Sequence, residues 1–119
     1  MKKINLKEKF HKISEQWSPK VIDEMNDYQF KLVKIQNEFT WHMHEDTDET
    51  FFVLEGKMGI ELENETIELD AGEMIVIPRG IIHKPFASEE AKIMLIEPTG
   101  VTNTGDVNNE FTAKNDQWI

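Results

Sequence analysis

The chain has 119 residues, 39% hydrophobic and 30% charged, the balance of an ordinary folded chain of one-domain size rather than a disordered one. A formal net charge of -10 supplies no basic face to displace counterions from phosphate, which excludes nucleic acid and anionic membranes as expected partners. There is no cysteine, so disulfides, thiolate metal sites and cysteine nucleophiles are excluded, and any metal ligands must be N and O atoms.

The basic start Met1–Lys9 has no apolar stretch after it, so no secretory signal is expected. No run approaches the roughly 18 apolar residues of a membrane span. Together with the lack of cysteine this points to a cytoplasmic protein. Leu6, Phe10, Ile13 and Trp17 recur at helical spacing and predict an amphipathic helix over residues 5–17, ended by Ser18-Pro19. His11, among Lys and Glu on that helix, reads as a solvated surface residue.

From there to Glu97 the chain reads as short strands. The candidates are Lys20–Glu24, Tyr28–Ile35, Phe39–His44, Glu49–Leu54, Lys57–Leu62, Thr66–Leu69, Met74–Ile77, His83–Phe86 and Ala91–Glu97. Breaks fall at Asn26-Asp27, Glu55-Gly56, Asn64, Asp70-Ala71-Gly72 and Pro78-Arg79-Gly80. Closely spaced short strands predict an all-β sandwich or barrel. Residues 98–119 are polar and read as an irregular tail whose last residues, Trp118 and Ile119, can dock on the body.

Three of the four histidines fall in two short motifs. His42 and His44 are two apart, and in a strand such residues face the same side. After the acidic loop Glu45-Asp46-Thr47-Asp48, Glu49 opens the next strand and can stand opposite the pair. His83 follows the Pro78-Arg79-Gly80 turn, which can swing it back toward them. Three imidazoles and a carboxylate converging in a barrel suit one divalent transition metal per chain: zinc, iron, nickel or manganese.

These residues resemble the two motifs of the cupin superfamily, small jelly-roll barrels built as a double-stranded β-helix. The first, G-x5-H-x-H-x3–4-E-x6-G, is matched by His42, His44, Glu49 and Gly56, with Gln36 in place of the leading glycine. The second, G-x5-P-x-G-x2-H-x3-N, is matched by Gly72, Pro78, Gly80 and His83, with Ala87 in place of the asparagine. The resemblance is to small bacterial cupins often labelled mannose-6-phosphate isomerase-like. It implies one cupin domain over 1–119, its barrel at about 20–97, with the metal on His42, His44, Glu49 and His83.

Three functions fit that reading. The first is a metal-dependent enzyme on a small molecule, an isomerase or dioxygenase. The second is a non-catalytic module that binds or senses a small ligand. The third, a sugar or sugar-phosphate isomerase, is disfavoured in its phosphate form: a phosphate site wants Arg or Lys aimed inward, the only arginine, Arg79, belongs to a rim turn, and no lysine is assigned to the barrel interior. Lys84 points outward by strand parity. Met43, Met58, Met74 and Met94 are assigned to core or pocket filling. The strand Phe51–Leu54 is apolar on both faces, either because another element covers it or because it forms a dimer interface, and a homodimer is the expected state.

Overall fold

The computed structural model describes residues 1–119. Seven strands follow one short helix, α1 (Leu6–Phe10): β1 (Lys20–Met25), β2 (Tyr28–Glu38), β3 (Glu49–Glu55), β4 (Lys57–Glu61), β5 (Thr66–Asp70), β6 (Met74–Ile77) and β7 (Lys84–Pro98). All pairings are antiparallel. The order β1-β2-β7-β3-β6 makes one path, and β4, paired with β5, joins it through β7.

The last two expected strands are in fact a single one. Strand β7 pairs with β4 through Lys84–Phe86 and with β3 through Lys92–Ile96, and it lies along β2 for most of its length. Its exposed middle, Ser88–Glu90, lies where the register against β2 shifts between Ile35 and Asn37. A bulge lets one strand bend and serve both sheets of a sandwich, the corner that closes a jelly roll.

Alternation sorts the side chains. Val33, Ile35, Phe51, Val53, Ile60, Ile93 and Leu95 fill the interior between the sheets. Fully burying each such side chain is worth about 1.5–3 kcal/mol relative to exposure. Leu32 faces the other way and packs with Phe10, Ile13 and Ile22 beneath the N-terminal segment. Phe52 and Leu54, on the outer side of β3, are half-buried. Of the methionines, Met58 is core and Met43 and Met94 are half-buried, but Met74 is 52% exposed on edge strand β6, which corrects its assignment to the core.

The helix is shorter than its periodicity suggests. Asn5 caps it by accepting a hydrogen bond from the Glu8 N–H, and the chain leaves it after Phe10. Phe10 and Ile13 enter the outer cluster, whereas Trp17 is drawn to the barrel interior: its backbone N–H donates to Lys34 O and its indole N–H to Gln36 O. One straight helix cannot serve both sites, and tertiary bonds win over weak propensity in so short a segment. His11 is exposed, as expected.

The tail carries no helix or strand and is nevertheless docked. Val21 exchanges backbone hydrogen bonds with Gln117 and Ile119, and Ile119 packs on the outer cluster while Trp118 stays half-exposed.

Candidate metal centre

Phe39–His44 forms no strand. Its one regular feature is an isolated antiparallel bridge in which His42 and His83 exchange both backbone hydrogen bonds, at 3.0 and 2.8 Å. The neighbouring groups are used otherwise. Met43 N–H donates to Asp106 Oδ1, Met43 O accepts from Asp106 N–H, and His44 O accepts from Gly80 N–H. The segment is therefore a loop pinned by the tail and by the turn before His83, which the alternating pattern alone does not reveal.

That loop still delivers its side chains inward. His42, His44, Glu49 and His83 are all buried, and each offers one ligand atom within 4.8 Å of the others. Glu49 Oε1 lies 3.2 Å from His44 Nε2 and 3.4 Å from His83 Nε2. Yet none of these three atoms has a hydrogen-bond partner of acceptable geometry. Buried polar atoms left in that state cost about 1–3 kcal/mol each unless something else satisfies them. A cation does so. Two atoms each about 2.1 Å from one ion, at a right angle to each other, stand roughly 3.0 Å apart, and at the tetrahedral angle roughly 3.4 Å apart. The observed separations fall in that range, so the residues fit a shared metal.

The ring orientations agree. His42 Nδ1 lies 2.9 Å from Thr40 O, and His83 Nδ1 lies 2.9 Å from Ile81 O. A carbonyl accepts only, so each Nδ1 carries the proton and each Nε2 presents a lone pair, the arrangement that outer carbonyls impose on ligating imidazoles. Burial, followed by the nearby His83 ring, lowers the His42 pKa from 6.5 to about 4, so it is neutral at pH 7. Burial by itself pushes the Glu49 carboxyl up, but the His44 and His83 rings close to it outweigh that and hold Glu49 well below the usual carboxylate range.

Arg79 holds the turn before His83. Its N–H and Nε donate to Asp48 Oδ1 at 2.9 and 3.2 Å, which gives one member of the acidic loop a structural task. Lys84 points away from the centre, as parity predicts, with Nζ 2.9 Å from Glu38 and over the Trp41 ring.

Two charged residues inside the barrel went unassigned in the sequence. Lys31 and Glu97 are buried on the inner face, joined by a 2.8 Å ion pair. Both lie in expected strands, in phase with Val33 and Ile35 on β2 and with Ile93 and Leu95 on β7. That phase was the available signal. The register of β3 against β7 sets Glu97 beside Glu49. Burial, and then the Glu49 charge, push the Glu97 pKa well above the usual range, with Lys31 opposing.

Beside the four residues lies a narrow cavity of about 30 Å³, room for one or two waters. Its wall includes His42 and Glu49, the apolar Val33, Ile35, Phe51, Ile93 and Leu95, and at one side Trp17, Phe39 and Asn103. Trp17 and Phe39 stack at 4.6 Å, and Phe111 from the tail packs on Phe39 at 5.3 Å. Asn103 donates to Trp17 O and Phe111 O. Trp17 has φ of +61°, a left-handed conformation costly for so bulky a residue and kept here by its hydrogen bonds.

A cupin domain is recognised over residues 30–97, more than half of the chain. The chain is a cupin. It is 59% identical to a cupin-2 domain containing protein from Shewanella frigidimarina, with a TM-score of 0.79 over 80% of this chain and 93% of that one. It is 32% identical to protein NMB1881 from Neisseria meningitidis, with a TM-score of 0.76 over 82% of this chain and 100% of that one. Over 53% of its length it is 41% identical to the uncharacterized protein YdbB of Bacillus subtilis, a match that spans 57% of YdbB. The all-β class expected from the strand pattern, and the jelly roll implied by the motif resemblance, are thus the observed ones. No helix is long and apolar enough to cross a membrane.

Proposed function

We propose that this cupin, one domain over 1–119, holds one divalent transition ion on His42, His44, Glu49 and His83 and acts as a metal-dependent enzyme on a small molecule in the cytoplasm. The carrying observation is the set of three buried donor atoms, His44 Nε2, Glu49 Oε1 and His83 Nε2, that face one another without hydrogen bonds. Zinc, iron, nickel and manganese all suit imidazole and carboxylate donors. When bound, such an ion polarises a carbonyl or hydroxyl, or activates O2 if it is iron.

The chain's own residues restrict what reaches that ion. The cavity wall is almost wholly apolar, and the one lysine in the barrel, Lys31, is already engaged by Glu97 Oε1. No free cation faces the cavity to take a phosphate, which argues against the sugar-phosphate isomerase reading. This apolar lining favours a compact, uncharged substrate over a charged one.

The test is product formation. Metal-loaded protein, chelator-stripped protein and Glu49→Gln are each incubated with a panel of small uncharged carbonyl and hydroxyl compounds, and products are read by mass spectrometry. Conversion by the loaded wild type alone supports the enzyme. Binding of a panel member without conversion makes the protein a ligand-binding module instead.

A homodimer belongs to the same proposal. Met74 and Val76 project half-exposed from edge strand β6, beside half-buried Phe52 of β3. An apolar, unpaired edge invites a second copy. Sedimentation should show a dimer at micromolar concentration and a monomer for Val76→Glu; a monomeric wild type would refute it.

A further inference from the structure

Glu97 and Lys31 have no task in the four-residue centre, although they lie against it. Both are buried, Glu97 at 1% exposure, and their 2.8 Å pair sits at the end of the barrel interior. The register that sets Thr50 against Ile96 and Phe51 against Leu95 brings Glu97 alongside Glu49. One Glu97 oxygen, Oε1, takes the Lys31 ammonium. Its other oxygen, Oε2, is buried with no donor opposite it.

As a contribution to stability alone this arrangement is poor. A buried ion pair is often matched or bettered by apolar side chains of similar size, because desolvation offsets the attraction. Here the pair also sets a second carboxyl against one already buried. The interior offers apolar neighbours on the same strands, Val33 and Leu95, so an apolar pair would continue the core. What the polar pair does supply is an anchored group on the neighbouring strand beside the one carboxylate of the centre. Glu49 Oε1 is otherwise approached only by the two imidazoles, which are themselves ligands.

We propose that Glu97, held by Lys31, is a positioning residue that fixes the Glu49 carboxylate in its ligating orientation. This rests on the metal-centre reading above. Groups that orient ligands in this way are typically worth about 10–100-fold in metal affinity. Lys31 acts one step further out: its ammonium holds Glu97 Oε1 and so fixes how that carboxyl is turned.

The test uses full-length protein stripped by chelator, with Co2+ as probe. Affinity is measured by chelator competition, and the visible spectrum of bound Co2+ reports the ligand field. Glu97→Leu should weaken Co2+ binding about 10–100-fold and alter the spectrum. Glu97→Gln, which keeps a hydrogen-bonding group against Glu49, should retain most of the affinity and the wild-type spectrum. The double variant Lys31→Met/Glu97→Leu removes the pair without stranding a charge. Its metal-free melting temperature should stay level or rise, while Co2+ affinity falls as in Glu97→Leu. A double variant that binds Co2+ as tightly as wild type, with an unchanged spectrum, overturns the proposal and makes the pair purely structural. A wild type that binds no Co2+ overturns the metal centre itself, a separate and recognisable outcome.

Discussion

Lowering the pH of the metal-free protein should destabilise it through His42. Its pKa is 6.5 when unperturbed and about 4 in the fold, where burial and His83 disfavour the charged ring. Between those values the unfolded chain takes up a proton that the folded chain refuses. The unfolded state then binds more protons, so stability must fall as the pH drops from about 6.5 to about 4, and it stays flat in this respect above that window. A gap of about 2.5 pH units at about 1.4 kcal/mol each gives about 3 kcal/mol. That is a large part of the 5–15 kcal/mol typical of a folded domain. Glu97 works in the opposite direction. Its raised pKa means that the folded state holds a proton longer, so its contribution falls as the pH rises above the ordinary carboxylate value. Both wild type and His42→Gln contain Glu97, so it cancels to first order in their difference. The assay is urea unfolding of both proteins in chelator at intervals from pH 7 to pH 4. Wild type should lose about 3 kcal/mol more than His42→Gln across that range. Parallel profiles would refute the argument, because the ring would then be solvated or already charged in the fold.

Two glycines give further predictions. Gly59 lies opposite Phe86 in the β4–β7 pairing, and a Cβ there would fall onto the Phe86 ring. Gly59→Ala should cost about 1–3 kcal/mol by overpacking, read as a drop of about 5–15 °C in melting temperature; an unchanged value would mean that the ring does not cover the strand. Gly105, in the tail, has φ of +56° and would set a Cβ against the Met43 carbonyl, with His44 Nδ1 at 3.2 Å. Gly105→Ala should loosen the tail from the ligand loop and speed amide hydrogen exchange at Met43 and Asp106, whose N–H groups join the two; unchanged exchange would show that the tail does not pin the loop.

The ligand set was legible in the sequence because spacing carried it. His42, His44, Glu49 and His83 keep their motif distances whether the first pair sits on a strand or on a loop. The loop itself was not legible, since its partners are Asp106 and Gly80, remote in sequence and with no pattern linking them to Met43 and His44. The helix over residues 5–17 was overextended for a related reason: Trp17 has the right period but is held by Lys34 and Gln36 on β2. Lys31 and Glu97 were hidden by their chemistry. Strand phase places both on the inner face, but charged residues are rarely buried unpaired, and their pairing spans 66 positions of sequence. Strand β7 reads in the sequence as two strands, His83–Phe86 and Ala91–Glu97, because polar Ser88, Glu89 and Glu90 interrupt the apolar pattern at the corner where β7 changes sheets.

The central claim is that His42, His44, Glu49 and His83 hold one ion. Elemental analysis of untagged protein purified without chelator tests it most directly, beside His42→Ala and His83→Ala. The account predicts close to one zinc, iron, nickel or manganese per chain in wild type and a large loss in both variants. A wild type that is metal-free and takes up none of these ions on titration would contradict it.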